Sequence, residues 1–295
     1  MNRSLPSVLG NETFSTQLKK VIHPENLRIL PDREIRVAVH PVNESFCQLW
    51  PDLREACVST YAPGAVLTRE CTELDFLWNR NHENGLLEFP ECWYDVRQMD
   101  VSWAIQRTDL SGKKNFTMKF SAASMGLVHQ IDLNGNSEVE ALIRFVEFNQ
   151  TDYQTEIGAK LWQGFDGMIQ SRYDRWQKRT DIVRRVERCR VPGFLSQLCG
   201  FNGLVRLTLM NKAIKHSCDL KFTSSVFNGE TLEMLNHKAR FVIQCDQISE
   251  AYVIQCQCPC GEEILEMYDC DQNLIASIAY NGLSQSTTKL LPALN

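Results

Sequence analysis

The stretch from Val101 to Gly135 reads VSWAIQRTDLSGKKNFTMKFSAASMGLVHQIDLNG, and from Ile248 to Gly282 the chain reads ISEAYVIQCQCPCGEEILEMYDCDQNLIASIAYNG. A shift of 147 positions lays one on the other without a gap, pairing Ser102 with Ser249, Ala104 with Ala251, Leu127 with Leu274, Ile131 with Ile278, Asn134 with Asn281 and Gly135 with Gly282. Six identities are thin support, of a size that two unrelated half-buried hairpins would share by chance. The apolar positions also keep step: Val101 with Ile248, Ile105 with Tyr252, Met118 with Leu265, Phe120 with Met267 and Val128 with Ile275. A hydrophobic pattern held in register over such a length predicts a repeated fold. In the first copy Gly112 to Asn115 predicts a hairpin tip, Phe116, Met118 and Phe120 share one face, and Leu127 to Leu133 returns.

A chain of 295 residues exceeds the usual size of one domain, and the repeat offset suggests two units, 1–155 and 156–295. With 43% apolar and 23% charged residues it belongs among ordered globular proteins, and a net charge of -5 argues against general nucleic-acid binding. The first thirty residues lack the apolar core of a secretory signal, and eighteen apolar residues never run together, so a cytosolic protein without membrane insertion is expected. The Asn-x-Ser/Thr triplets at Asn11, Asn43, Asn115 and Asn149 are then coincidental, and the twelve cysteines are expected as buried thiols rather than a disulfide framework.

Phe14 to Ile22 has a short helical pattern, read as a docking arm. Ile35, Val37 and Val39 alternate with polar or small residues as in a strand, whereas Phe46, Leu49, Leu53 and Cys57 have helical spacing around Pro51. After a turn at Ala62 to Gly64, the runs Val66–Thr68, Leu74–Trp78 and Leu86–Phe89 suggest one antiparallel meander, with Asn84-Gly85 as a turn. Ser137 and Glu140 form a capping box ahead of Val139, Leu142, Ile143 and Val146. A long helix is expected from about Ile157 to Arg190, ended by Pro192-Gly193. Strands follow at 205–209, 219–226, 239–245, 251–257, 264–268 and 274–280, and the helix that followed the first copy is not expected again.

Several of these segments resemble the HemS/ChuX haem-utilisation family, whose members contain two such halves. Leu232-x-x-Leu235-Asn236, Ile248 to Val253, Leu265 to Asp269 and Leu274 to Ala276 follow the family's strand sequence in order and spacing. Leu127 to Ile131 with Ser137 to Val139, Gly64 to Arg69 and Val205 to Asn211 resemble further strands and a helix start, so that the likeness covers most of residues 60–282. The resemblance implies an α+β fold of two structurally similar halves, each an antiparallel β-sheet with flanking helices, the sheets stacked. It also implies haem as cofactor, held between a helix and the sheet of the second half, with a haem-uptake or haem-accepting protein as partner.

Haem in such a cleft needs an axial ligand, an apolar wall and cations for its propionates. Where the family has its iron-ligating histidine, this sequence has Gln163, within Trp162-Gln163-Gly164-Phe165. The family's Arg-Lys pair falls near Gln255 and Cys256, and its basic terminal segment is replaced by Leu283 to Ser286. Arg69 is kept, and His216 resembles a strand-end histidine of the family. The candidate haem-binding set is therefore Arg69, Gln163, Arg172, Arg175 and His216, with His216 as the substitute metal ligand. His216 as an ordinary polar strand-end residue is the competing reading.

Two further clusters carry chemistry. Cys256, Cys258, Cys260 and Cys270 bring four thiols together, as soft metal ligands or as plain packing at a hairpin tip. Arg172, Arg175, Lys178, Arg179, Arg184, Arg185, Arg188 and Arg190 would give one helix a positive face, for an acidic ligand or merely for solvent. Nucleotide-binding and hydrolase motifs are absent from the sequence. Two functions follow: a haem-binding protein for transfer, storage or oxidative degradation, or a scaffold that lost the haem ligand and serves as a non-catalytic binding module. Arg69, Gln163, Arg172, Arg175 and His216 converging on an apolar slot would favour the first. A cleft filled by Trp162, Phe165 and Trp176 would favour the second.

Overall fold

The computed structural model describes residues 27–30, 34–39, 53–72, 86–99, 102–109, 111–122, 125–133, 139–150, 164–179, 181–200, 203–256 and 262–281. The expected helix at Phe14–Ile22, the run Leu74–Trp78, the turn Asn84-Gly85, the cap residue Ser137 and the segment after Asn281 lie outside them. The described residues form two antiparallel sheets, stacked face to face.

The first sheet begins with β1 (Leu27–Leu30), β2 (Glu34–Val39), β7 (Ser102–Thr108), β8 (Lys114–Ala122), β9 (Gly126–Leu133), β3 (Glu55–Ala62) and β4 (Ala65–Thr72) side by side. It continues with three strands from the far end of the chain, β15 (Ala239–Gln244), β14 (Thr231–Leu235) and β13 (Ser224–Phe227). The second sheet runs β10 (Val183–Val186), β16 (Glu250–Gln255), β17 (Glu262–Tyr268), β18 (Leu274–Asn281), β11 (Val205–Met210) and β12 (Ile214–Leu220), and ends in β6 (Cys92–Asp95) and β5 (Leu86–Glu88). Each sheet thus takes in strands from the opposite half of the sequence, through the pairings β4 with β15 and β12 with β6.

The alternation of apolar side chains sets which face of each strand is covered. Val37, Val58, Met118, Phe120 and Ile131 pack with Tyr94 and Ile214 of the second sheet, and with Leu142, Phe145 and Val146 of helix α1 (Val139–Asn149). A second core joins Leu67, Phe241 and Ile243 to Leu207, Leu265 and Ile278, and to Phe194 and Leu195 of helix α3 (Val191–Leu198). Helix α2 (Gly164–Gln177) lies elsewhere, against the outward side of the second sheet. No helix among the described residues is long and apolar enough to cross a membrane.

The meanders β7–β8–β9 and β16–β17–β18 carry the same irregularity. The ladder of β8 with β9 shifts register between Phe120 and Ser121, and that of β17 with β18 between Met267 and Tyr268, positions 147 apart. A bulge at one point bends both hairpins alike. The hairpin from β3 to β4 turns at Gly64, whose φ of +67° suits glycine, and whose missing side chain leaves room for Gln247.

Several expectations are corrected. Residues 55–58 belong to strand β3 rather than a helix, because Ala56, Val58 and Thr60 are buried in alternation and pair with β4 and β9. The expected meander through Val66 and Leu86 is split: β4 lies in the first sheet and β5 in the second. Lys114 and Asn115 of the expected tip already belong to β8, and ahead of them the Asp109 carboxylate accepts from the Ser111 and Lys113 amides, both at 2.9 Å. The expected strand 219–226 divides into the end of β12 and β13.

The long helix to Arg190 stops at Gln177, and Val183–Val186 becomes a strand at the sheet edge. Its β-branched Val186 packs between the sheets and Val183 on the α2 side, while Arg184 and Arg185 meet Glu263 and Glu250. The arginine run therefore does not form one helical face. Pro192 does not end a helix but opens α3, where its missing N–H costs nothing.

Candidate functional site

The cleft expected to hold a ligand is the contact between α2 and the outward face of β16–β18. Phe165, Ile169 and Tyr173 of α2 are buried against Tyr252, Ile254, Tyr268 and Leu274, with Trp176 packed beside them. The Tyr173 and Tyr268 rings meet edge-on at 5.0 Å. Beneath them lies Glu266, with 0% exposure. Its carboxylate accepts from Trp176 Nε1 at 2.6 Å and from the Tyr268 hydroxyl at 2.5 Å, and forms an ion pair with Arg172. A second carboxylate, Glu250, accepts from the hydroxyls of Tyr173 at 2.7 Å and Tyr252 at 2.6 Å, and faces Arg185 at 3.2 Å. Gln177 donates to the Tyr252 hydroxyl at 2.7 Å.

The charges follow this arrangement. The hydroxyls of Tyr252 and Tyr173, with Arg185 beyond them, hold the Glu250 carboxyl below the usual range despite opposing burial. Burial and the neighbouring carboxylates push the phenols of Tyr173 and Tyr268 well above theirs. On the same face Lys215 sits over the Trp93 ring at 4.4 Å, its ammonium held below the usual lysine range by burial and by Arg172.

Haem, the cofactor that the sequence resemblance implies, does not fit these residues. The side chains of α2 occupy the space against the sheet, α2 and β16–β18 contain no histidine, and the cations Arg172 and Arg185 are engaged by Glu266 and Glu250.

The expected set is divided between the two faces of the second sheet. Arg172 and Arg175 are on α2, Arg172 paired with Glu266 and Arg175 exposed over the Trp176 ring at 5.9 Å. His216 and Arg69 lie on the other face, between the sheets, and Gln163 lies outside the described residues. Phe165 and Trp176 fill the helix contact, and Trp162 is outside the described residues.

Between the sheets runs a buried polar seam. The Tyr94 hydroxyl meets His129 Nε2 at 2.9 Å, His129 Nδ1 meets the Thr60 hydroxyl at 3.0 Å, and that hydroxyl meets His216 Nδ1 at 2.9 Å. All four residues are at most 1% exposed. Burial, and secondarily the His216 ring, hold His129 well below the usual histidine range, so its ring is neutral. Arg69 forms an ion pair with Glu91, and Asn211 Nδ2 donates to the carbonyls of Tyr61 at 2.7 Å and Val128 at 3.3 Å. The seam ties the sheets together at the boundary of the two apolar cores.

A third feature is a recess of about 1080 Å³ where α3 and the residues before it face the β13–β14 turn. Arg185, Arg188, Cys189, Phe227, Cys245 and Asp246 line it, with Cys189 and Phe227 exposed and Cys245 buried. Of the other thiols, Cys256 follows β16 and Cys270 is exposed, while Cys258 and Cys260 lie outside the described residues.

Sequence reasoning missed Glu266, Glu250 and Thr60. A signal for Glu266 exists, an acid between Leu265 and Met267 in an otherwise apolar strand. Thr60 offered none, since only the fold brings it between two histidines.

The sequence matches no family model and no curated protein. Its fold is similar to solved structures. PhuS, a heme-binding protein from Pseudomonas aeruginosa, superposes with a TM-score of 0.71 at 11% identity, over 88% of this chain and 87% of that one. The heme degrading enzyme ChuS of Escherichia coli O157:H7 gives 0.70 at 14% identity, over 87% and 86%. A structure of ChuS described as an E. coli heme oxygenase gives 0.69 at 13%, over 95% and 91%. This chain therefore shares one fold, two stacked antiparallel sheets with a few helices, with PhuS and ChuS along most of its length.

Proposed function

We propose that the chain is a cytosolic, non-catalytic binding module on the fold used by haem proteins, built of two repeat halves, 1–155 and 156–295. The observation that carries this reading is the clamp at Glu266. A fully buried carboxylate that binds Arg172, Trp176 and Tyr268 at once fastens α2 onto the sheet. The helix–sheet contact then serves to position a surface rather than to receive a flat ligand. Fold likeness alone does not carry the neighbours' activities to this chain.

A second reading, haem handling, is favoured by the recess beside α3. It offers two cations, Arg185 and Arg188, an aromatic wall in Phe227, and an exposed thiol, Cys189, of a kind that ligates haem iron. Titration of the purified chain with haemin, followed in the Soret band, separates the two. The module reading predicts no saturable one-to-one binding by wild type. Saturable binding that is lost in Cys189→Ser replaces it with haem handling at the recess, and binding kept in that variant places haem elsewhere and likewise overturns the module reading.

A further inference from the structure

The seam between the sheets holds more metal-binding chemistry than a polar tie requires. Ligand atoms of Glu91, His216 and Cys218 all lie within 4.8 Å of one another. His216 and Cys92 are directly opposite in the β12–β6 ladder, so their side chains share one face, and Cys218, two residues along β12, shares it too. That face looks into the space between the sheets, where Thr60 of β3 reaches His216. Cys71 of β4 belongs to the buried core cluster against which Cys92 packs. Three strands from both sheets thus bring thiols, an imidazole and a carboxylate together in a buried volume.

We propose that Glu91, Cys92, His216 and Cys218 form a zinc site between the two sheets, with Cys71 and Arg69 at its border. The donor set of two sulfurs, one nitrogen and one oxygen is that of a borderline-soft cation with tetrahedral preference. Zinc bonds of about 2.0–2.3 Å place tetrahedral ligands about 3.5 Å apart, a contraction from the spacing of Glu91, His216 and Cys218, and Cys92, opposite His216 on β6, would supply the fourth ligand. Thr60 already holds Nδ1 of His216, which fixes the ring and assigns Nε2 to the metal, as outer-shell partners of ligating histidines do. The Arg69 guanidinium, paired with Glu91, orients that carboxylate and offsets the negative charge of two thiolates. Metal binding would displace the protons of both thiols.

The test uses the full chain stripped with a chelator and reloaded with Co²⁺ or Zn²⁺. One equivalent of Co²⁺ is expected to give a near-ultraviolet thiolate charge-transfer band with tetrahedral visible bands, and one equivalent of Zn²⁺ to raise the thermal midpoint. Both effects are expected to be lost in Cys218→Ser and Cys92→Ser and kept when Cys256, Cys258 and Cys260 are all replaced by serine. Absence of the charge-transfer band in wild type overturns the proposal, as does a band lost only in the triple variant. X-ray absorption at the zinc edge decides on wild type alone if the single variants fail to fold. Two sulfur and two nitrogen or oxygen neighbours are expected, and three or more sulfurs, or none, refute the assignment.

Discussion

The two meanders β7–β9 and β16–β18 share a ladder and a bulge, yet their outward faces differ. In the first, Thr117, Lys119, Ser121, Gln130 and Asp132 are half-exposed, and Asp132 accepts from Thr117 at 2.6 Å and from Gln130 at 2.7 Å. In the second, Glu266 stands at the position of Lys119 and Tyr268 at that of Ser121, and α2 covers both. The inward residues, Met118 and Phe120 in one and Leu265 and Met267 in the other, are all buried. Packing between the sheets fixes the inward alternation, while the outward alternation is left to specialise. A charge at one register position is a solvated side chain in one copy and the anchor of a helix in the other.

Substitution at that shared position breaks the comparison most directly. Glu266→Ala removes the acceptor of Trp176 and Tyr268 and leaves Arg172 beside the sheet without its carboxylate, for an expected loss of about 3–5 kcal/mol. Lys119→Ala, on the open face, is expected to stay within about 0.5 kcal/mol. Urea unfolding of both variants checks the pair, and equal losses would show that the two faces do not differ energetically. Trp176→Phe keeps an aromatic ring but removes one donor to Glu266, at an expected cost of about 1–3 kcal/mol.

The pH dependence of thermal unfolding separates the regions again. His129 has a depressed pKa in the fold, so the unfolded chain takes up the proton first, and stability present above about pH 6.5 is lost as pH falls. Tyr173 and Tyr268 have raised values, so stability present below about pH 10 is lost as pH rises beyond it. His129→Asn is expected to flatten the acid limb alone, and Tyr268→Phe to weaken the alkaline one. The smallest effect is expected for Arg185→Ala, an exposed partner of Glu250 at the rim of the α2 contact, at about 0.2–1 kcal/mol in the same urea assay.

Period-two patterns such as Ile35-Val37-Val39 and Phe116-Met118-Phe120 made strands readable, because one face of each is buried. The same logic misled where apolar spacing was ambiguous. Residues 55–58 have helical spacing with their upstream neighbours, and pairing with β4 on one side and β9 on the other makes them a strand. The arginines after Gln177 look helical in composition, whereas Val183 and Val186 complete an edge that no local pattern announces. Of the candidate site, Arg69 and His216 were picked out by resemblance, yet their partners Glu91 and Thr60 were invisible, since those contacts span 22 and 156 positions. Long-range polar pairing leaves no periodic trace.

The interchange of strands between the sheets bears on how the chain emerges from a ribosome. The edge of β4, Ala65 to Arg69, finds its neighbour only when Ala239 to Ile243 has been made, and Cys92 to Tyr94 waits likewise for Ile214 to His216. Through much of synthesis both edges expose unpaired amides and carbonyls. At about 5–20 residues per second that interval lasts roughly 10–40 s for β4, long enough for a nascent chain to need shielding. A protein assembled in this way has its completion written into its last third, and a truncated product would carry an open edge for life.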